Sequence, residues 1–494
     1  MFVLPKWIDV LRLRGSRGLA RVSLLAGLLC GVMLAGCSRS AGEEDARAAS
    51  TASDDTGYDP DGPRPKNFIL ISLDTVRADH VGAYGYERDT TPRLDAFADR
   101  GALFLNCTSP SAWTVPAHMS IFTGVEPPAH GCTYYQDVGR VNPRFETLQK
   151  IFNRHGFHTG AFTGGGFMSQ RYGMFDEFDT FSSKGTHFAD NLPDVWDWID
   201  AVGDEPMFLF LHGFDAHKAY LPPPPYNTRF SGDYRGHYPV ARFCKPGVGR
   251  PDPVDVAYVM SQYDGEIAAV DDVIADFLDE LERRGILQES LVVILTDHGD
   301  EFYEHGRCDH IHSLYDELIR AAWIMLGPSI PAVKVRDHVG TIDILPTVLD
   351  VFGFDSPAQF QGVSRLAALD GHREARDDYI YSFTGRGSPP YHLSSVRTNR
   401  WKLITDLPAG HPNKNCPLCA EGSHSGVDMW LFDLQKDPGE EHNLAGQYQE
   451  FALELLSRIQ NRIAASLKLG LDTVEPSAES PEDTERLRAL GYIE

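Results

Sequence analysis

Apolar positions along this chain cluster in two recurring patterns. Phe68 to Leu73 is an apolar run interrupted only by Ser72, and Pro206-Met207-Phe208-Leu209-Phe210-Leu211-His212 and Leu291 to Thr296 repeat it. A strand that is apolar on both faces is buried on both, as in a parallel sheet covered by helices. His158 to Thr163 and Ala321 to Leu326 read as further strands. Leu94 to Ala102 reads as helix, and Ile267, Val270, Ile274, Phe277, Leu278 and Leu281 recur at helical spacing. The alternation predicts an α/β fold: a three-layer α/β/α sandwich around a mostly parallel central sheet.

Past Gly353 the pattern changes. Tyr379 to Phe383 and Val396 to Thr405 read as strands, the second interrupted by a tight turn near Asn399-Arg400. Trp430-Leu431-Phe432-Asp433-Leu434 follows, and Phe451 to Leu469 reads as helix. This predicts a smaller C-terminal subdomain with an antiparallel sheet. Between Tyr220 and Tyr258 lies a Pro-, Gly- and Arg-rich stretch with little periodicity. It reads equally as a functional lid and as rigid surface turns.

The N-terminus reads as a targeting segment. Lys6, Arg12, Arg14, Arg17 and Arg21 are basic, and Ser23 to Met33 is apolar but too short to span a bilayer comfortably. Leu34-Ala35-Gly36-Cys37 resembles the bacterial lipobox, whose cysteine is lipidated and becomes the first residue. Residues 38–65 are rich in small, acidic and Pro residues and read as a flexible tether. The expected organisation is a signal peptide at 1–36, a lipidated tether at 37–65, a main domain at 66–370, and a C-terminal subdomain and tail at 371–494. Ser38 after the cysteine resembles the outer-membrane sorting pattern. The expected location is the periplasm-facing outer membrane, or another exported, lipid-anchored site.

The formal net charge of −25 argues against non-specific nucleic-acid binding, and no nucleic-acid motif is found. Of eight cysteines, Cys30 leaves with the signal and Cys37 carries lipid on this reading. The remaining six are Cys107, Cys132, Cys244, Cys308, Cys416 and Cys419; an even number in an oxidising compartment suggests disulfides of open connectivity. Cys416-Pro417-Leu418-Cys419 between His411 and His424 suits a local disulfide or a metal.

In open α/β sheets, ligands bind beyond the carboxyl ends of the strands. Asp74, His212 to His217, and Asp297-His298 all fall there. The stretch Ser111 to Gly124 reads as a loop delivering the Thr114 hydroxyl to the same mouth, although a Thr before an apolar run also suits a helix N-cap. Asp74, Asp297 and His298 are carboxylate and imidazole ligands of the kind divalent cations take. With Thr114 as a further ligand, such a metal would lower the hydroxyl's pKa and polarise a substrate oxygen. Asp215, His217, His310 and His312 offer material for a second metal. His217 also suits a general acid or a hydrogen-bond donor to the leaving oxygen. His118 suits orienting the hydroxyl, contacting the transferred group, or packing.

Several of these stretches together resemble the sulfatase family, within the alkaline phosphatase superfamily. Leu73-Asp74-Thr75-Val76-Arg77-Ala78-Asp79-His80 with Tyr84-Gly85 resembles its first metal motif. Thr114-Val115-Pro116-Ala117-His118 with Thr123-Gly124 resembles its nucleophile signature, and Asp215-Ala216-His217 its active-site His segment. Thr296-Asp297-His298-Gly299-Asp300 with His305-Gly306 resembles its second metal motif. Thr341 to Thr347, Val396-Arg397-Thr398 with Trp401-Lys402-Leu403, and Asp433-Leu434 with Asp437-Pro438-Gly439-Glu440 resemble landmarks outside the site. In this comparison His310 aligns best with a site residue.

The departures bear on the chemistry. Family members carry Cys or Ser at the nucleophile position, oxidised to formylglycine; Thr114 cannot become that aldehyde, so no formylglycine is expected. The signature Arg is here His118, the second Asp of the first metal motif is Thr75, and the Lys and His that bind sulfate have no clear counterpart near Gly164 to Met168. The remaining pattern is similar to superfamily phosphodiesterases and phosphoethanolamine transferases, in which a Thr attacks phosphorus with help from zinc. The resemblance therefore implies a metal-dependent ester hydrolase with Thr114 as nucleophile and His217, His118 and His310 in supporting roles. It implies phosphate mono- or diesters ahead of sulfate esters, with zinc, manganese or calcium as the metal. The substrate would be a small-molecule, glycan or lipid ester. A phosphoryl transferase and an inactive, lipid-anchored binding protein remain the alternatives.

Overall fold

The computed structural model describes residues 58–132, 138–245, 247–370, 375–386, 391–406, 423–424, 427–469, 478 and 480–490. The signal segment, Cys37, the tether up to residue 57 and the Cys416–Cys419 pair lie outside them; residues 58–65, expected as tether, are instead packed on the domain, with Tyr58 against the core and Arg64 Nη1 donating to Phe352 O at 3.0 Å. Among the described residues no helix is long and apolar enough to cross a membrane.

The large sheet is built from β1 (Asn67–Leu73), β2 (Ala102–Thr108), β3 (His158–Phe162), β4 (Thr180–Ser182), β5 (Met207–Gly213), β6 (Ser290–Thr296), β7 (Trp323–Leu326) and β8 (Val333–Gly340). Its order is β8-β2-β7-β6-β1-β5-β3-β4, with the short strand Arg320–Ala321 paired to β2. All neighbours along this path are parallel except β7, which runs antiparallel to both β6 and β2.

The continuous apolar runs have the expected cause. Alternate side chains of β1 enter different cores: Phe68 and Leu70 pack on one face, Ile69, Ile71 and Leu73 on the other. The first face is covered by the helices Thr114–Thr123, Leu148–Arg154 and Ile344–Phe352. The second is covered by Pro92–Ala98, Phe188–Val202 and the long helix Pro253–Arg283. The first of these helices is shorter than the sequence suggests: it stops at Ala98, and Ala102 opens β2. The stretch expected as a strand from Ala321 divides after two residues, and its main part is the antiparallel β7.

The C-terminal sheet is antiparallel: β9 (Ile380–Arg386), β10 (Tyr391–Arg397), β11 (Trp401–Asp406) and β12 (Val427–Asp433), with Ser423–His424 at its edge. The break between β10 and β11 at Thr398 to Arg400 is the expected tight turn, closed by Thr398 N donating to Trp401 O at 2.8 Å. The helix Gln449–Leu469 packs Leu455, Leu456 and Ile459 against Val396, Leu403 and Leu431. A last helix, Pro481–Ala489, is capped by Ser480, whose hydroxyl accepts from Asp483 N. It packs on the large-sheet side, where Leu487 and Leu490 join the core that holds Phe167 and Tyr172.

The stretch from Tyr220 to Tyr258 contains a short helix, Tyr226–Arg229, and a 3₁₀ turn, Val240–Arg242. It is tied to the rest by the disulfide Cys244–Cys308, with Cα atoms 5.8 Å apart. Cys107 and Cys132 are free and buried, so these two do not pair as their even number suggested.

Candidate active site

Two adjacent parallel strands set the site. Leu73 of β1 stands level with Thr296 of β6, so Asp74 and Asp297 leave the sheet side by side. Thr75 takes a left-handed conformation (φ 56°), which turns its N–H back to donate to Asp297 Oδ1 at 3.1 Å. On the other side of β1, Ser72 stands level with His212 of β5, and His212 Nε2 lies 3.2 Å from Asp74 Oδ2.

Thr114 is not in a loop but is the first residue of the helix Thr114–Thr123. The residue before it, Trp113, is the N-cap, and no side chain caps that end. The Thr114 hydroxyl therefore faces the strand ends. It donates to Asp74 Oδ2 at 3.3 Å and lies 3.2 Å from His298 Nε2. His118, one turn along, does not touch that hydroxyl: its Nδ1 donates to Thr114 O at 2.8 Å, and Nε2 accepts from Ser72 Oγ at 2.8 Å. It fixes the main chain that carries the Thr114 hydroxyl.

Asp74, Asp297 and His298 are buried, and one ligand atom from each lies within 4.8 Å of the others. Asp74 Oδ1 and Asp297 Oδ2 accept no hydrogen bond, and His212 Nδ1 has no hydrogen-bond partner. Burial pushes the Asp74 carboxyl up to about 6. Burial, with the Asp74 charge added, pushes Asp297 up to about 7. Burial pulls His298, His118 and His212 down to about 4, so all three imidazoles are neutral near pH 7. Two buried carboxylates with open lone pairs beside neutral imidazoles are a donor set that a divalent cation fits.

A second group lies next to the first. His310 Nδ1 sits 2.7 Å from Asp300 Oδ1 and 2.8 Å from Asp309 Oδ1. Burial alone would lower the His310 pKa, but Asp309 and Asp300 outweigh it and raise it to about 10. Asp300 Oδ2 accepts from Tyr220 Oη at 2.7 Å, and the Lys218 ammonium pairs with Asp309. The His310 ring lies 4.7 Å from that of His298 and 5.4 Å from that of His217, centroid to centroid. Asp300, Asp309 and His310 thus also have metal-like spacing. Here, however, the carboxylates already face an imidazolium and an ammonium.

Of the four residues suggested for a second metal, His217 and His310 stand side by side, while Asp215 and His312 are engaged elsewhere. Asp215 accepts from Phe188 N at 2.9 Å, at the start of the helix Phe188–Val202. His312 Nε2 pairs with Glu301 at 2.7 Å. His217 Nδ1 donates to Lys218 O at 2.9 Å, and burial pulls its pKa down to about 3. His310 remains with Asp300 and Asp309. Sequence reasoning placed His212 at the mouth without giving it a role, and it missed Asp300 and Asp309 as site residues. His212 carried a usable signal, a polar residue ending a buried strand. Asp309 carried none, because its position depends on the two-strand ribbon Glu301–Phe302 with Cys308–Asp309 and on a φ of 76°.

Comparisons with known proteins identify the family. Residues 66–354 match the family model for Sulfatase, and residues 303–409 match that for N-sulphoglucosamine sulphohydrolase, C-terminal. Delta 4,5-hexuronate-2-O-sulfatase of Bacteroides thetaiotaomicron is 25% identical over 435 residues, covering 77% of this chain and 84% of its own. Arylsulfatase K of Mus musculus is 21% identical over 464 residues, covering 80% and 79%. The crystal structure of the phosphonate monoester hydrolase of Agrobacterium radiobacter shares the fold, with a TM-score of 0.65 at 18% identity over 82% of this chain and 96% of that one. The Sulfatase match runs from just before β1 past β8, through every strand of the large sheet and every residue around Thr114. The chain belongs to the sulfatase family.

Proposed function

We propose that this sulfatase-family hydrolase is a metal-dependent esterase in which Thr114 is the nucleophile and phosphate mono- or diesters are the preferred substrates. The observation that carries the reading is the Thr114 hydroxyl, 3.3 Å from Asp74 and 3.2 Å from His298, beside two buried carboxylate oxygens with no partner. Asp74, Asp297, His298 and Thr114 would hold one divalent cation, with His212 close enough to Asp74 to orient it. When bound, that cation supplies Lewis-acid polarisation of a substrate oxygen and lowers the pKa of the hydroxyl.

The chain's own groups account for the rest. The Thr114 oxygen forms a bond to phosphorus while the bond to the leaving oxygen breaks, giving a phosphothreonine. The His310 imidazolium, held between Asp300 and Asp309, places positive charge beside the group being transferred. The departing oxygen takes up, by way of solvent, the proton that the Thr114 hydroxyl gives up; neutral His217, whose Nδ1–H is committed to Lys218 O, offers its unprotonated Nε2 as an acceptor only. Water then cleaves the phosphothreonine and restores Thr114, releasing inorganic phosphate from a monoester or a phosphate monoester from a diester. One metal rather than two is favoured, because Lys218 and His310 already balance the second carboxylate pair.

Family members carry an oxidisable Cys or Ser where this chain has Thr114, and this favours phosphorus over sulfur. The shared fold with a phosphonate monoester hydrolase is in keeping with that choice. Export with a lipid anchor at Cys37 is part of the same reading, and the Cys244–Cys308 disulfide supports an oxidising compartment. The test is side-by-side turnover of aryl sulfate, aryl phosphate and bis-aryl phosphate with added zinc, manganese or calcium. Phosphate-ester turnover that needs metal and falls at least about 10³-fold in Thr114→Ala is the expected result. Turnover that survives both chelation and that substitution overturns the mechanism.

A further inference from the structure

Between Asp74 and the 3₁₀ turn Ala78–His80 the main chain changes direction, and one side chain clasps it there. Tyr263, on the long helix Pro253–Arg283, donates its hydroxyl proton to Thr75 O at 2.6 Å and accepts from Arg77 N at 2.7 Å. Both partners are backbone, one on each side of Val76, whose side chain is buried in the core. The Tyr263 ring is fully buried and packs against the rings of His80, Tyr220 and Phe302, with centroids 5.1, 5.4 and 5.1 Å away. Held on three sides, the ring makes its hydroxyl a fixed anchor for the turn.

The turn needs such an anchor. Thr75 stands at φ 56°, an unfavourable conformation for a β-branched residue, kept only where the surroundings impose it. In that conformation its N–H donates to Asp297 Oδ1 at 3.1 Å, and the same oxygen accepts from His298 N at 2.8 Å. These two donors fix the carboxylate by Oδ1 and leave Oδ2 as the oxygen that accepts no hydrogen bond. Were Thr75 to relax to negative φ, its N–H would turn away and the Asp297 carboxylate would be free to rotate. The peptide that follows Asp74, the other carboxylate of the group, would turn with it.

We infer that Tyr263 is a positioning residue for the cation site: its hydroxyl holds Thr75 in the left-handed conformation that aims Asp74 and Asp297 at one shared cation. That hydroxyl bonds to none of Asp74, Thr114, Asp297 and His298; it acts through the backbone of Thr75 and Arg77. The inference rests on the reading of those residues as cation ligands.

The test is equilibrium binding of the cation alone, so that it stands apart from turnover. Full-length protein freed of metal by chelation is titrated by calorimetry with zinc, manganese and calcium in turn. Tyr263→Phe keeps the ring and removes only the hydroxyl. It is expected to bind the wild type's preferred cation about tenfold more weakly. Ile274→Val, a buried substitution about three turns along the same helix, is the control for lost stability and should stay within about twofold of wild type. Glycine carries no strain at a left-handed position, so in a Thr75→Gly chain the Tyr263→Phe change should alter affinity by less than about threefold. Unchanged affinity in Tyr263→Phe, an equal fall in Ile274→Val, or an undiminished effect in the Thr75→Gly chain overturns the inference. Failure of the cation reading shows separately, and overturns both: wild type then binds none of the three metals, or Asp297→Asn binds them as well as wild type does.

Discussion

His118 holds Thr114 by its backbone: Nδ1 donates to the Thr114 carbonyl at 2.8 Å, while Ser72 of the central strand donates to Nε2. Thr114 is thereby tied to β1 through a neutral, fully buried imidazole. His118→Ala should leave Ser72 and the Thr114 carbonyl short of a partner and cost about 1–3 kcal/mol. It should lower kcat more than it changes KM, because the hydroxyl loses its placement while the substrate contacts remain. Urea unfolding and steady-state kinetics on the same preparation check both halves; a rise in KM with kcat unchanged would assign His118 to substrate contact.

Metal should act on stability as well as on rate. Asp74 and Asp297 each present a buried oxygen without a partner, so a cation that binds only the folded chain raises its melting temperature. At a free concentration of one hundred times Kd the gain is about 2.7 kcal/mol. Asp297→Asn should abolish most of it. Differential scanning calorimetry with and without chelator reads the shift; an unchanged Tm in the wild type removes the metal from the proposal.

His305 provides a pH dependence away from the site. Burial alone would lower its pKa, but the Glu317 carboxylate at 2.6 Å outweighs burial and raises it to about 9. The folded value lies above the ordinary histidine value of 6.5. The stabilisation is therefore fully present below about pH 6.5 and is lost as pH rises through about 9. Its size is on the order of 3 kcal/mol, or less where water screens the pair. Stability measured from pH 6 to 10 should decline over that window and flatten in His305→Gln.

Lys402 fastens the C-terminal sheet to the rest of the chain. Its ammonium is fully buried and lies 3.0 Å from Asp316 and 2.8 Å from Glu440. Lys402→Met leaves buried Glu440 without its cation, beside an Asp316 that keeps Arg397, and should cost about 3–5 kcal/mol. Replacing Glu440 with Gln in the same chain should return part of that loss, which a double-mutant cycle measures directly.

The Cys244–Cys308 bridge closes a loop with a sequence separation of 64. Reducing it should lower stability by about 4 kcal/mol. Cys244→Ser with Cys308→Ser should reproduce the loss and make reducing agent ineffective.

The large sheet was legible because its central strands are apolar on both faces. The ligands Asp74, Asp297 and His298 were legible because they sit where those runs end. The helix Thr114–Thr123 was not, because all ten of its residues are buried, Thr, His and Ser included, and no amphipathic stripe marks it. β8 was hidden by Lys334 and Arg336, which alternate with its apolar residues at the sheet edge. The last helix was hidden for a related reason: Leu487 is its only buried residue. The pairing of Asp300 and Asp309 around His310 depends on a short ribbon and a left-handed residue, and neither leaves a periodic trace.

The contact of Thr75 with Asp297 joins residues 222 positions apart. Parallel pairing at such separation is slow to form, since loop-closure entropy must be overcome before the contact stabilises anything. Neither half of the chain holds the two carboxylates together on its own. Cation affinity in this protein should therefore appear late in refolding, with the closure of β1 against β6, and serve as a kinetic marker that the centre of the sheet is complete.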